Sequence, residues 1–297
     1  NYAVPYDQEV AIRTRNSFAM HLYSRLFDKI VEKMNDTLRG TNGLASLSVL
    51  DIGGFQFFEK NGFEQLCINY LNEKLQNIFV EMTLKDEQEQ YYNEGLPFTP
   101  IRFFNNKIIC DLLDGRRPPG LFCLLDDVVY TTFGENANHK FMERCTTNLI
   151  NHPHFALAGT ASFTIKHYTG YVTYDSDGFA EKNKDVLWND FIEAGQLSEN
   201  PFIRGMFPED TIARPPKKRP TTSGFKTKTF GGRMVQSVCR KVPHYIHCVK
   251  PNDRRTKDIW DNDKCRLQVR YLGLSEYIEL RKTGYAYRVE YSRFFSR

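Results

Sequence analysis

The sequence predicts an α/β fold, in which a mostly parallel sheet carries long helices. Residues 47–52 form a short run that is too apolar on both faces for a surface strand, so we expect a buried strand there. Apolar residues recur at helical spacing over residues 7–34 and again over 63–93. With 297 residues, the chain is long enough for two subdomains.

The first two helices have clear ends in the sequence. Gly40 and the Asn42-Gly43 pair end the first helix and turn the chain. The second helix, over residues 63–93, would be roughly 45 Å long at 1.5 Å per residue. Its end is marked by Gly95 and Pro97. We therefore expect a long rod that begins in a core and ends at a surface.

The middle of the chain predicts helices and one hairpin. The apolar residues 121–125 lead into Asp126-Asp127, which we interpret as a helix cap. A helical pattern follows over residues 133–149. Residues 163–168 and 171–174 alternate as strands that turn at Gly170.

The last third of the chain alternates helices with a strand. We expect helices through residues 187–192, over 234–241 and over 263–279, and a buried strand at 245–249. The Pro-, Lys- and Thr-rich residues 214–229 are predicted to be mobile.

Charge and cysteine content limit the class of protein. The formal net charge is +4, but residues 211–233 hold seven basic residues and no acidic one, which favours an acidic partner. The seven cysteines form no C-x-x-C pair, which indicates reduced thiols inside the cell. With neither a membrane span nor a signal peptide in the sequence, we expect a cytosolic protein. The start without methionine suggests an excised piece.

The Asp-x-x-Gly motif formed by Asp51 and Gly54 follows the predicted strand at 47–52. An acidic side chain leaving a buried strand, with a glycine amide close behind it, is typical of a loop that senses phosphate. By itself the motif is weak, because such turns close many α/β strands.

Six ordered blocks make the chain resemble the C-terminal part of a myosin motor head, most closely the class I group. The blocks run from the switch II loop and relay helix to the start of the converter. They are VLDIGGF (49–55) with FEQLCINY (63–70) and NEKLQ (72–76), HYTGYVTY (167–174), EKNKD (181–185), RPTT (219–222), HYIHCVKPN (244–252) and GYAYR (284–288).

The resemblance implies a role for Mg-ATP as the cofactor of the intact head. Asp51 would reach Mg²⁺ through water, and the backbone N–H of Gly54 would contact the γ-phosphate. Gln56 stands where myosins usually have Glu. Either closure over the phosphate is weaker, or a compensating change in the rest of the head offsets the glutamine. No Gly-Lys-Ser or Gly-Lys-Thr occurs in the sequence, and switch I is also absent. The fragment alone is therefore expected not to hydrolyse ATP.

The resemblance also implies an actin-binding surface. The region of residues 126–149, with Asp127, Val128 and Val129, corresponds to the helix–loop–helix that meets actin. A flexible basic loop would attract the acidic face of actin through Lys217, Lys218, Arg219, Lys226 and Lys228. Without that context, a solvated linker is the favoured explanation of such a charge run. A nucleic-acid partner is not expected, since Phe225 and Phe230 are the loop's only stacking candidates.

The fold implied is part of a P-loop-NTPase-type sheet with a largely helical actin-binding subdomain. The six expected segments are a helix leading into the core (1–44), the switch II strand with relay helix and loop (45–110), the lower actin-binding subdomain (111–213), the basic loop (214–230), a core strand with coupling helices (231–286) and the start of the converter (287–297).

The expected function is part of an actin-based, ATP-driven motor in the cytoplasm, on the actin cytoskeleton. F-actin, the rest of the head and a calmodulin-type light chain would be partners, and membrane contact would come only through a missing tail. Two alternatives remain: a non-catalytic actin-binding fragment, and a different switch-bearing ATPase. Tyr271 and Arg281 stand where conventional myosins carry reactive cysteines, and Phe98 where a relay tryptophan is common.

Overall fold

The computed structural model describes residues 5–40, 45, 47–132, 136–184, 189–209, 221–254, 256–285, 287 and 289–296. The chain divides into two compact units, Asn1–Ile52 with Lys184–Ser223, and Gly53–Asn183 with Gly224–Arg297. Among the described residues, no helix has the length and apolar character needed to cross a membrane.

The described elements are mainly helices. In chain order they are α1 Gln8–Leu38, α2 Phe63–Phe79, a π-helical segment Val80–Lys85, α3 Asp86–Asn93, α4 Lys107–Asp114, α5 Leu121–Thr131, α6 Asn136–Leu149, β1 Phe155–Leu157, β2 Ser162–His167, β3 Gly170–Asp175, α7 Phe179–Asn183, α8 Asn189–Gln196, α9 Pro201–Arg204, α10 Ser223–Cys239, α11 Asn262–Tyr271, α12 Leu274–Thr283 and α13 Tyr291–Phe295.

The first unit is organised by α1. Its N-cap, Asp7, accepts a hydrogen bond from the backbone N–H of Val10 at 2.7 Å, so the helix begins where the sequence predicts. Phe18 stacks on Phe191 of α8, with ring centroids 4.7 Å apart. The predicted helix over residues 7–34 is confirmed, and it continues to Leu38.

The strand predicted at residues 47–52 is wrong. These residues have no regular secondary structure, and the side chains of Leu47 and Val49 are 95% and 88% exposed. A strand needs a neighbour to pair its backbone N–H and C=O groups. The described part of the chain supplies no neighbouring strand for this segment, so its apolar composition does not produce a sheet.

The rod predicted over residues 63–93 is confirmed as one unbroken helical span through α2, the π-helical segment and α3. The π-helical segment was not predicted, because periodicity does not distinguish it from an α-helix. The span ends at Asn93. Gly95, two residues later, has a φ of 67°, the left-handed conformation that glycine adopts without strain.

A three-stranded antiparallel sheet lies at the centre of the second unit, in the order β1-β2-β3. The predicted hairpin is confirmed as β2 and β3, in which Ile165 pairs with Val172 and His167 with Gly170. Alternate residues point into a core shared with α2, α5 and α6. The mostly parallel sheet of the predicted α/β fold is not found among the described residues, where this antiparallel sheet is the one present.

The cap predicted at Asp126-Asp127 is wrong, because both residues lie inside α5. That helix begins after Gly120. Its buried residues repeat at helical spacing on both sides of the aspartates, which accounts for the continuous helix. They are Leu121, Phe122, Leu124, Leu125, Val128 and Val129.

The predicted mobile segment is in part a helix. Residues 210–220 lie outside the described residues, but α10 begins at Ser223. Gly224 allows α10 to approach α5, since a Cβ there would lie 2.9 Å from Phe122. Gly231 allows close packing on α2 in the same way, with Tyr70 at 3.1 Å. Tertiary packing therefore overrides the weak helix propensity of this stretch.

Two C-terminal predictions also need correction. The single helix expected over residues 263–279 is two helices, α11 and α12, because Gly273 between them has a φ of 67°. The strand expected at 245–249 has no regular secondary structure, and Ile246 is 90% exposed. Tyr245 instead packs edge-on against Phe79 of α2, with centroids 5.1 Å apart.

Candidate functional site

The loop at residues 51–56 carries the predicted nucleotide-site residues. It has no regular secondary structure, and Asp51 and Gly54 are both exposed. A Cβ built on Gly53 or Gly54 would meet no atom of the described residues within 4 Å. The backbone of this glycine pair therefore borders open space, which another group could occupy.

Helix α2 holds this loop through two asparagines. The backbone N–H of Gln56 donates to Asn69 Oδ1 at 2.7 Å, and Asn69 Nδ2 donates to the carbonyl of Gln56 at 2.8 Å. Asn72 Nδ2 donates to the carbonyl of Gly53 at 3.0 Å. Helix α2 therefore holds the four-residue stretch 53–56 at both of its ends.

The side chain of Gln56 is half-buried and contacts the start of α2. Gln65 Nε2 donates to Gln56 Oε1 at 3.4 Å, a long and therefore weak hydrogen bond. Gln65 Oε1 accepts the backbone N–H of Gly62 at 2.9 Å and so caps the helix. The side-chain amide of Gln56 therefore makes one weak hydrogen bond, whereas its backbone N–H and C=O make two short ones.

Behind the loop lies a buried polar cluster centred on Glu73. Its Oε1 accepts from His167 Nδ1 at 2.8 Å and from the backbone N–H of Tyr168 at 3.1 Å. Its second carboxylate oxygen accepts from Asn106 Nδ2. The side chains of Glu73 and His167 are fully buried. A buried carboxylate with several donors is satisfied, and the elements that supply the donors are held together.

Tyr174 joins this cluster to Asn69. Its hydroxyl lies 2.9 Å from His167 Nε2 and accepts from Asn69 Nδ2 at 2.8 Å. Burial raises the pKa of Tyr174 well above its usual range, so the hydroxyl keeps its proton. Sequence reasoning missed Asn69, Glu73 and Tyr174. The available signal was the spacing of Asn69 and Glu73, two polar residues at i and i+4 on the apolar side of α2.

The predicted filament-facing residues of α5 differ in exposure. Asp127 is exposed and lies 3.4 Å from Arg144 Nη1 of α6. Val128 and Val129 are buried in the core. Of these three side chains, only that of Asp127 reaches the surface.

The predicted basic residues are also divided. Lys226 and Lys228 lie on α10, not in a flexible loop, and Lys226 is exposed. Lys228 Nζ lies 3.4 Å from Asp126 Oδ2, which brings it against α5. Lys217, Lys218 and Arg219 lie outside the described residues. The predicted basic residues Lys226 and Lys228 therefore lie on α10, whereas the predicted nucleotide-site residues lie in the loop at 51–56.

No group of three or more His, Cys, Asp or Glu side chains in the described ranges is arranged to hold a metal ion. Asp51 offers one exposed carboxylate. Mg²⁺ keeps several waters and is usually bound by one or two carboxylates together with substrate phosphates. The donor set of the loop fits such a water-mediated, shared site.

Curated relatives match the whole length of the chain. The "Myosin heavy chain IB" of Acanthamoeba castellanii is 48% identical over 303 residues, which cover 100% of this chain and 26% of that protein. The "Myosin IB heavy chain" of Dictyostelium discoideum is 45% identical, covering 100% of this chain and 27% of the relative. The "Myosin IC heavy chain" of Acanthamoeba castellanii is 44% identical, with 100% and 25% covered. The chain spans about a quarter of the length of these relatives.

The family comparison gives the same result along the full sequence. A model of the myosin head (motor domain) matches residues 1–297. Together with relatives at 44–48% identity, this match identifies the family independently of the motifs quoted above. The chain belongs to the myosin head family, within the motor domain.

Proposed function

We propose that this chain is part of an actin-based, ATP-driven motor, and that it carries the switch II loop, the relay helix and part of the actin-binding region. The observation that carries the proposal is the attachment of the loop to the rod: Asn69 holds the backbone of Gln56 at 2.7 and 2.8 Å, and Asn72 holds Gly53 at 3.0 Å. A loop fixed in this way transmits a displacement to the helix that holds it.

The nucleotide role is assigned to three residues of the loop. Asp51 would hold a magnesium ion through water, and the N–H of Gly54 would donate to the terminal phosphate. When bound, Mg-ATP supplies the phosphoryl group and the charge that polarises it. The open space over Gly53 and Gly54 supports this assignment, because no atom of the described residues lies within 4 Å of a Cβ built on either glycine. Gln56 would hold the loop in its closed position.

The relay role is supported by the contacts at the far end of the rod. Tyr91 of α3 donates to Glu87 Oε1 at 2.6 Å, and Arg281 of α12 lies 3.3 Å from the same atom. Leu280 of α12 is fully buried in the cluster that contains Phe79 and Tyr91. A displacement of the rod would therefore displace α12. That helix precedes residues 287–297, the proposed start of the converter.

The actin-binding role is proposed for the surface near α5 and α10. Exposed Asp127 and Lys226 supply charges of opposite sign. Val128 and Val129, being buried, would hold α5 in place for contacts made by its exposed residues. Lys217, Lys218 and Arg219 would add a salt-sensitive attraction to acidic actin.

Other parts of the proposal concern the full-length protein. The rest of the head would supply the phosphate loop and switch I, a calmodulin-type light chain would bind beyond the converter, and a tail would make any membrane contact. The site of action would be the actin cytoskeleton of the cytoplasm. The proposed domain division keeps the six segments given above, with the same roles: 1–44, 45–110, 111–213, 214–230, 231–286 and 287–297.

Co-sedimentation with F-actin tests the proposal. We expect the full-length protein to bind actin without nucleotide and to be released by Mg-ATP, because closure of the switch is coupled to the actin surface. A matched sample with Mg-ADP controls for nucleotide binding alone. Binding that Mg-ATP leaves unchanged would favour the alternative of a passive actin-binding module.

A further inference from the structure

We propose that Tyr174 and His167, supported by Glu73, are positioning residues for the switch loop: through Asn69 they fix the backbone of Gln56. The inference deepens the proposed function, and its effect on turnover rests on that function. The four residues lie on two elements far apart in sequence, α2 and the β2–β3 hairpin.

The chain of contacts is continuous. Glu73 accepts from His167 Nδ1 at 2.8 Å, His167 Nε2 lies 2.9 Å from the Tyr174 hydroxyl, and that hydroxyl accepts from Asn69 Nδ2 at 2.8 Å. Asn69 then makes its two bonds to the backbone of Gln56. Each link is of hydrogen-bonding length, and all four side chains are buried.

One set of hydrogen positions satisfies every link. Since the carboxylate of Glu73 can only accept, His167 donates from Nδ1. His167 Nε2 then accepts the hydroxyl proton of Tyr174. The two amide hydrogens of Asn69 go to Tyr174 and to the Gln56 carbonyl, so Asn69 Oδ1 faces the N–H of Gln56. The hydroxyl of Tyr174 therefore accepts from the Asn69 amide only in the orientation that also pairs with the Gln56 backbone.

The orientation of Asn69 matters because a flipped amide would face the Gln56 N–H with its own N–H. Two donors would then oppose each other, and so would two acceptors on the other side. Helix α2 alone does not prevent this flip, since an amide occupies nearly the same space either way. The Gln56 backbone disfavours the flipped amide, and the hairpin disfavours it as well through the Tyr174 hydroxyl.

Aromatic rings pack around the four hydrogen-bonded side chains and restrict their movement. The ring of Phe55, next to Gln56, lies edge-on to His167 with centroids 5.0 Å apart. Tyr174 stacks on Phe163, with centroids 5.5 Å apart. The loop, the hairpin and α2 therefore meet at the same few side chains, and removal of one hydroxyl need not disturb the rings.

The experiment is hydrogen exchange over residues 53–58 in full-length protein with Tyr174→Phe. Loss of the hydroxyl should speed exchange of the Gln56 amide about fivefold to tenfold, the effect of one lost hydrogen bond. Tyr70→Phe is the matched control: Tyr70 is also buried and lies next to Asn69 on α2, but its hydroxyl donates to Asp114 at 2.7 Å. Its exchange over residues 53–58 should match the wild type.

A second variant guards against misfolding of the first. His167→Gln keeps an amide near the Nε2 position, so it should speed exchange less than Tyr174→Phe. Equal exchange in Tyr174→Phe and Tyr70→Phe, whether fast or slow, would overturn the positioning role. Faster exchange in Tyr174→Phe alone supports it.

Turnover separates this inference from the proposed function. If the switch assignment holds, Tyr174→Phe should lower kcat for Mg-ATP hydrolysis with little change in KM, because a closed-state contact is affected. If residues 53–58 exchange faster while kcat stays unchanged, the positioning role stands and the switch role of Gln56 is rejected.

Discussion

Arg281 on α12 lies 3.3 Å from the carboxylate of Glu87 on α3, at the far end of the rod from the loop at residues 51–56. The side chain of Glu87 is only 10% exposed and that of Arg281 is 47% exposed. Glu87 also accepts from Tyr91 at 2.6 Å. The pair joins two helices that are nearly 200 residues apart in sequence.

We expect Arg281→Ala to lower the free energy of unfolding by about 1 kcal/mol, because it leaves a mostly buried carboxylate with one partner fewer. Arg281→Lys should recover part of the loss, since it keeps the charge without the forked geometry. Urea unfolding measures both. Lys85→Ala, which removes an exposed pair with Glu81 on the same rod, is the control. A loss from Arg281→Ala that persists unchanged in a Glu87→Gln background would show that the pair contributes nothing.

Gly54→Ala tests the backbone contact proposed for the terminal phosphate. The added methyl meets no atom within 4 Å in the part of the chain that the structure describes, so stability should be unchanged or slightly higher. If a phosphate reaches the Gly54 N–H through the open space over the backbone, the methyl group would keep the phosphate away from that donor. Turnover of Mg-ATP in the full-length protein should then fall by about 100-fold, as when one donor to a reacting group is lost.

The control for this substitution is Gly232→Ala, on α10, where a Cβ also meets nothing within 4 Å. It should leave turnover unchanged and stabilise the helix by about 0.5–1 kcal/mol. Similar turnover in wild type and Gly54→Ala would show that Gly54 does not contact the terminal phosphate.

Gln56→Glu tests whether this position limits closure. A carboxylate would form a charge-assisted hydrogen bond worth about 1 kcal/mol more than the neutral one, so we expect cleavage of the γ-phosphate to be about fivefold faster. Rapid-quench measurement of the cleavage step in the full-length protein gives the rate. An unchanged rate would mean that another part of the head compensates for the glutamine.

Two lysines on α10 should behave differently. Lys226 is exposed, whereas Lys228 is half-buried beside Asp126, with Nζ and Oδ2 3.4 Å apart. Lys226→Gln should weaken actin binding at low salt and lose its effect near 1 M salt, where screening acts within about 3 Å. Lys228→Gln should instead lower the melting temperature, because it removes a partner of Asp126.

Co-sedimentation over a salt series, together with thermal unfolding, separates the two effects. If Lys226→Gln leaves binding unchanged at every salt concentration, α10 does not contribute to the actin surface.

The sequence was sufficient wherever a segment finds its partners nearby. The rod over residues 63–93 and the β2–β3 hairpin were predicted correctly, since their periodicity and their neighbours are local. The strands at 47–52 and 245–249 were predicted from apolar composition, which does not say whether a pairing strand is present. The Glu73 cluster was missed because its members come from three separate segments, and only folding brings them together.

The exposure of Cys248 gives a direct test of the predicted parallel sheet. Cys239 and Cys248 are both exposed in this chain, whereas Cys67, Cys110, Cys145 and Cys265 are half-buried or buried. Burial raises the pKa of the Cys67 thiol to about 12, and those of Cys110 and Cys145 still higher, so these thiols should alkylate slowly. In this chain, Cys239 and Cys248 should therefore label first and at similar rates.

The same labelling in the full-length protein decides between the two arrangements of residues 245–249. If they form a central strand of a sheet completed by the rest of the head, Cys248 should label at least about tenfold more slowly than Cys239. Mass spectrometry after a timed pulse of iodoacetamide measures both sites, and Cys239→Ser confirms the assignment of the fast one. Equal rates at the two sites in the full-length protein would reject the central strand, and with it the parallel-sheet prediction for this part of the chain.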